Sequence, residues 1–268
     1  METKKYKLTD DTIILDGHKL HRIQALIDFS DVKCGDIGGY IESEENLSQY
    51  ENCWVYDVAK VYCNAIVFDN AQVYGNAIVF DNARVYDDAF VYGNARIYDY
   101  AEVYGDAMVY CNARIYDDAQ VYGNAEVFGN ARVFDDVKVY GNAEVHGNAK
   151  VFDYSQVYGN AKVYGNARVY YKTRVYGNAQ VYGYAQVCDY AEVHGDAVIT
   201  DINDYIVFKN SLSSGRYFTW TKSNNMWSVG CFYGTGEELI KKAYQDSEVS
   251  GRNYEKYVKL VESLKQEE

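Results

Sequence analysis

From Val55 to Ile199 an aliphatic residue stands at every sixth position, 25 times in succession, without an insertion or deletion. No other feature of the chain narrows its possible folds so far. Four residues after each aliphatic from Val55 to Val193 comes an alanine, replaced only at Val137, Ser155 and Thr173. In a unit such as Ala167-Arg168-Val169-Tyr170, alternation sends alanine and valine to one side and arginine and tyrosine to the other, the period of a β-strand. The next two residues, mostly Gly-Asn or Asp-Asn, tolerate positive φ and bend the chain. Six residues therefore make one short strand and one bend. The chain contains no proline, which fits nearly continuous backbone pairing, because proline removes a ladder donor.

A longer period sits inside the short one. Asp81, Asp99, Asp117, Asp135, Asp153 and Asp189 recur at 18 residues or a multiple of it, and the corner glycines form two further series of the same spacing. Three strands per coil follow, with each corner stacked on its own kind. A strand this short cannot bury its Val/Ala face alone, so coils must stack. Residues 47–202 then form a rod of about eight and a half coils, roughly 40 Å long at about 4.8 Å per coil. Valine and alanine fill the inside.

The residue after each aliphatic points outward. From Tyr56 to His194 there are 24 such positions, of which 16 are Tyr and 5 are Phe. Stacked in register they form an aromatic ladder on every face, each ring pair contributing about 0.5–1.5 kcal/mol beyond area burial. The asparagines Asn76, Asn94, Asn112, Asn130, Asn148 and Asn166 are placed to form an amide ladder in the same way. Holding coil on coil accounts for both residue types.

The pattern resembles the hexapeptide-repeat family, with an aliphatic, a small or acidic residue, two variable residues and a small apolar residue. The resemblance implies an all-β solenoid, a left-handed parallel three-sided β-helix. Handedness comes from the resemblance alone, since the general rule for parallel crossovers is right-handed. This chain departs from the family after the aliphatic, where an aromatic replaces the usual small or acidic residue.

Both ends lose the repeat. Residues 1–46 read as an N-terminal cap, with "GDIGGY" (35–40) as a turn into the first coil. Residues 203–268 read as a C-terminal α+β domain of a β-hairpin plus two helices. The hairpin turns at Ser223-Asn224-Asn225. A capping box at Thr235 and Glu238 opens the first helix. The second helix places Tyr254, Tyr257, Val258, Val261 and Leu264 on one face. Trp220 and Trp227 read as core residues. The segments "GDIGGYIESEENLSQYENCWVYDVAKVY" and "MWSVGCFYGTGEELIKKAY" resemble the YdcK-like β-solenoid proteins of phages, prophages and gut bacteria. Many relatives are called transferases by fold, so the resemblance implies architecture and a phage or prophage origin but no assigned reaction.

The net charge of −13 argues against non-specific binding to nucleic acid or acidic membranes. No apolar run reaches the roughly 20 residues of a membrane span, and no signal peptide opens the chain. Six scattered cysteines without a CxxC pair indicate a reduced, cytoplasmic protein. An acyltransferase of hexapeptide type would need a histidine base and a loop projecting between coils. The repeats carry no loop, and His146 and His194 occupy ladder positions on different faces. His18 and His21 are two possible ligands, short of a metal site. No cofactor motif is present. The expectation is therefore no enzyme, no cofactor, no metal and no catalytic residue.

Three functions remain in view: a non-catalytic protein-binding solenoid, a phage inhibitor of a host defence system or nuclease, and an acyltransferase. Wholesale DNA mimicry fits poorly. DNA of roughly 40 Å carries about two dozen charges, whereas residues 55–202 hold 11 basic against 19 acidic side chains. For a protein partner, of unknown identity, one face stands out. Before each aliphatic the second face carries Lys60, Ile78, Arg96, Arg114, Arg132, Lys150, Arg168 and Gln186. Beside them run Tyr62, Phe80, Tyr98, Tyr116, Phe134, Phe152 and Tyr170. The candidate binding face is Arg96, Arg114, Arg132, Lys150 and Arg168 with Tyr98, Tyr116, Phe134, Phe152 and Tyr170. Arginine and tyrosine are enriched at interface hot spots. The competing reading is that these cations neutralise the neighbouring Asp corner, each exposed pair being worth about 0–1 kcal/mol.

Overall fold

The computed structural model describes residues 4–211 and 214–266. Residues 55–199 form a three-sided parallel β-solenoid. Each side is one sheet, built from strands 18 residues apart in sequence. Lys60, Ile78, Arg96, Arg114, Arg132, Lys150, Arg168 and Gln186 are in direct cross-strand register. The interior is a close-packed stack in which Val55, Ala59, Val103 and Ile115 are fully buried along with their equivalents in every coil. The three departures from alanine, Val137, Ser155 and Thr173, are fully buried as well.

The bends follow one rule. The first corner residue takes the left-handed conformation whether it is glycine, aspartate, cysteine or tyrosine, with φ of 50° at Asp57, 57° at Cys63, 69° at Gly75 and 56° at Tyr171. Where aspartate stands there, its carboxylate can accept the amide of the next coil's corner, as Asp135 does from Asp153 N at 3.0 Å. That hydrogen bond, to a residue 18 positions on, ties successive corners together in the left-handed conformation. The neighbouring asparagines form the expected amide ladder from Asn94 to Asn166, with Nδ2 donating to the next Oδ1 at 3.1–3.2 Å.

The N-terminal end is a hairpin of Tyr6–Leu15 and His18–Ala25 followed by Ile37–Ile41. The expected turn over 35–40 is instead mostly strand. Tyr40 and Ile41 pair in parallel with Lys60 and Val61, so this segment already belongs to the second face. Its glycines serve close approach: a Cβ on Gly38 would lie 2.5 Å from Val55 O, and one on Gly39 2.5 Å from Ala59 O. Backbone groups of the first coils are met by cap side chains. Lys5 Nζ donates to Cys53 O at 2.9 Å, and Asn46 Nδ2 donates to Cys63 O and Ala65 O at 2.9 Å each.

At the other end the last coil leaves amides that no further coil can accept. The C-terminal unit supplies the acceptors. Cys188 N donates to Tyr205 Oη at 3.2 Å, Glu192 N to Thr219 Oγ1 at 2.8 Å, Val198 N to Ser223 Oγ at 2.8 Å and Thr200 N to Asp204 Oδ2 at 2.6 Å. The expected hairpin is the middle of a four-stranded antiparallel sheet, Tyr205–Lys209, Tyr217–Thr221, Met226–Val229 and Phe232–Gly234. Helices α1 (Gly236–Asp246) and α2 (Glu248–Gln266) pack on it, with the Thr235/Glu238 capping box present. Trp220, Trp227, Tyr254, Val258 and Val261 are core, whereas Leu264 is 44% exposed and lies outside it.

Candidate functional site

The second face carries the two predicted columns side by side. Tyr98 and Tyr116 stack at 4.9 Å, Tyr116 and Phe134 at 4.8 Å, Phe134 and Phe152 at 5.1 Å, and Phe152 and Tyr170 at 5.0 Å, all within 3° of parallel. Half-burial in these stacks pushes the tyrosine hydroxyls up, that of Tyr116 to about 12, so the ladder stays uncharged. Beside the rings Arg96, Arg114, Arg132 and Arg168 are exposed and Lys150 is half-buried. The Arg168 guanidinium lies 5.3 Å from the Phe152 ring and 5.7 Å from that of Tyr170, a cation–π geometry.

Contact ion pairs between this column and the Asp corner are not formed among the described residues. Among the described residues no ion pair within 4.0 Å involves Arg96, Arg114, Arg132, Lys150 or Arg168. The carboxylates of Asp99, Asp117 and Asp135 are turned instead to the next coil's corner amides, at 3.4, 3.3 and 3.0 Å. The other two faces do pair their charges between coils: Lys162 with Glu144 at 2.7 Å, Arg174 with Glu192 at 3.2 Å and Arg84 with Glu102 at 4.0 Å. Five cations in consecutive rungs without a contact ion pair are therefore particular to the second face among the described residues. Like charges directly opposite across strands are destabilising.

Two of the histidines are stacked in the aromatic ladders. His146 stacks between Phe128 at 4.6 Å and Tyr164 at 4.9 Å. His194 stacks on Tyr176 at 4.3 Å and its Nε2 meets Ser228 Oγ at 3.0 Å, where burial drives its pKa down to about 4. His18 and His21 do not converge, because His21 Nδ1 is bonded to Thr9 O at 3.0 Å. His18 instead meets two residues that sequence reasoning did not join to it. Its Nδ1 is 2.9 Å from Glu42 Oε1 and its Nε2 is 3.7 Å from Cys63 Sγ. A second feature absent from the sequence reading is an open groove of about 840 Å³ on the third face, lined by Asn82, Arg84, Tyr100, Glu102, Asp118 and Lys138 among others. Its lining contains no histidine or cysteine.

Two segments of the rod, residues 71–87 and 155–171, match the family described as YdcK Beta solenoid repeat. The chain carries YdcK-type solenoid repeats. A stretch of 62 residues is 40% identical to a protein of Escherichia coli (strain K12) called "Uncharacterized acetyltransferase YdcK". That match covers 20% of this chain and 19% of the relative's length.

Proposed function

We propose that this protein is a non-catalytic, cytoplasmic β-solenoid that binds an acidic protein partner along its second face. The observation that carries the reading is the column Arg96, Arg114, Arg132, Lys150 and Arg168, which is held in register without carboxylate partners. A solenoid that pairs charges on its other faces has the means to neutralise this one as well. An unneutralised, flat row of cations beside stacked rings supplies what an acidic, aromatic-bearing surface needs, with arginine and tyrosine as anchors.

Acyl transfer is the competing class, and the relative's name contains the word acetyltransferase. Against it stand the stacked histidines, the loop-free repeats and a groove without a base. The expected result of incubation with acyl-carrier substrates is no saturable turnover. Turnover that His146→Ala or His194→Ala abolishes would replace the binding reading by an enzymatic one. The binding reading itself is tested by retention from the native cytoplasm with mass spectrometry, repeated with excess polyglutamate. Partner release by polyglutamate and by salt is expected, since exposed charge contacts are screened. Retention indifferent to both would overturn it.

A further inference from the structure

We propose that His18, Glu42 and Cys63 form a transition-metal site of the zinc(II) type that fastens the N-terminal hairpin to the first coil. Three separate segments deliver the donors. His18 opens the strand His18–Ala25, Glu42 follows the strand Ile37–Ile41, and Cys63 occupies a left-handed corner of the solenoid at φ 57°. One donor atom from each lies within 4.8 Å of the other two. Zinc bonds of about 2.0–2.1 Å to nitrogen and about 2.3 Å to sulfur, at a tetrahedral angle, hold the two ligand atoms about 3.6 Å apart. His18 Nε2 and Cys63 Sγ stand 3.7 Å apart.

The three side chains are already in mutual contact. Glu42 holds the histidine ring through Nδ1 and takes the Cys63 amide on its second oxygen at 2.8 Å. Coordination by Glu42 itself exchanges that hydrogen bond for the metal and leaves a fourth position to water, as all three side chains are partly exposed. The donor set of one thiol, one imidazole and one carboxylate suits zinc and excludes magnesium or calcium, which take oxygen. Sulfur also appears where the column otherwise holds Asp81, Asp99, Asp117, Asp135 and Asp153, at the rung that faces His18.

The same three residues stand in the order of a thiol nucleophile, its base and an orienting acid. One observation opposes that use: the Cys63 amide, a natural oxyanion donor, is already taken by Glu42.

The test uses the full-length protein, reduced and stripped of metal with a chelator, titrated with Zn²⁺ by calorimetry and with Co²⁺ by absorption. One equivalent of each metal should bind, Co²⁺ should give a sulfur-to-cobalt charge-transfer band, and Zn²⁺ should raise Tm. Cys63→Ser and His18→Gln should each weaken binding at least about tenfold and abolish the rise in Tm. Cys34→Ser, at an exposed thiol away from the cluster, should change nothing. Should the variants not fold, alkylation of the wild-type thiols mapped by mass spectrometry decides: Zn²⁺ should slow modification of Cys63 and spare the rate at Cys34. No charge-transfer band, a band that survives Cys63→Ser, or unchanged alkylation of Cys63 would overturn the proposal.

Discussion

Ser155 sits where nearly every other coil has alanine, and its hydroxyl is buried without a hydrogen-bond partner. An unpaired buried hydroxyl costs about 1–3 kcal/mol. Ser155→Ala should therefore stabilise the protein by about 1 kcal/mol or more, read as a higher midpoint in denaturant; a lower midpoint would contradict this. Thr173, in the same kind of position, donates to Tyr170 O at 2.6 Å and should not show the gain. The ladder makes the opposite prediction. Tyr98 stacks on Phe80 and Tyr116, both at 4.9 Å, so Tyr98→Ala should cost about 1–3 kcal/mol from two lost ring pairs. These positions were legible in the sequence because each recurs every 18 residues. The union of His18, Glu42 and Cys63 was not, because 24 and 45 residues separate His18 from its partners. No periodicity connects a cap to a coil. The cysteine interrupting an aspartate column was the one available sign.

Among the elements, the strands of the rod declared themselves through period 2 inside period 6, whereas those of the caps did not. The hairpin Tyr6–Leu15 and His18–Ala25 and the strand Tyr205–Lys209 lie in single-copy sequence, where only tertiary packing selects strand over loop. The glycines of "GDIGGY" suggest a turn from sequence, yet here Gly38 and Gly39 are required by neighbouring carbonyls. At the C-terminal junction His194 is stacked and held to Ser228. Its folded pKa of about 4 lies below the usual histidine value. The unfolded chain thus binds the extra proton first, so stability is complete above about pH 6.5 and falls as pH drops toward 4. His194→Phe should flatten that part of the Tm–pH curve, while an unchanged slope would place the titration elsewhere. The second-face column gives a further prediction. Replacing Arg96, Arg114 and Arg132 together by Gln removes like-charge neighbours in register and should leave Tm equal or higher. A clear fall in Tm would make the column a structural device.

For the whole molecule, the two ends are treated alike: backbone groups that no coil can reach are met by Lys5 and Asn46 at one end and by Tyr205, Thr219, Ser223 and Asp204 at the other. Removing residues 205–268 should expose a parallel strand edge and cause self-association in sedimentation; a monomeric, equally stable truncation would contradict the capping role. Between the caps the rod has few ways to act except through its surface, where contact ion pairs form between coils on the first and third faces and, among the described residues, none forms in the cation column of the second. The measurement that tests this most directly is calorimetric titration of the retained partner against wild-type protein and against the folded Arg96→Gln, Arg114→Gln, Arg132→Gln variant. A loss of affinity of at least about tenfold, equivalent to about 1.4 kcal/mol, is predicted. Equal affinity for the two proteins would contradict the account.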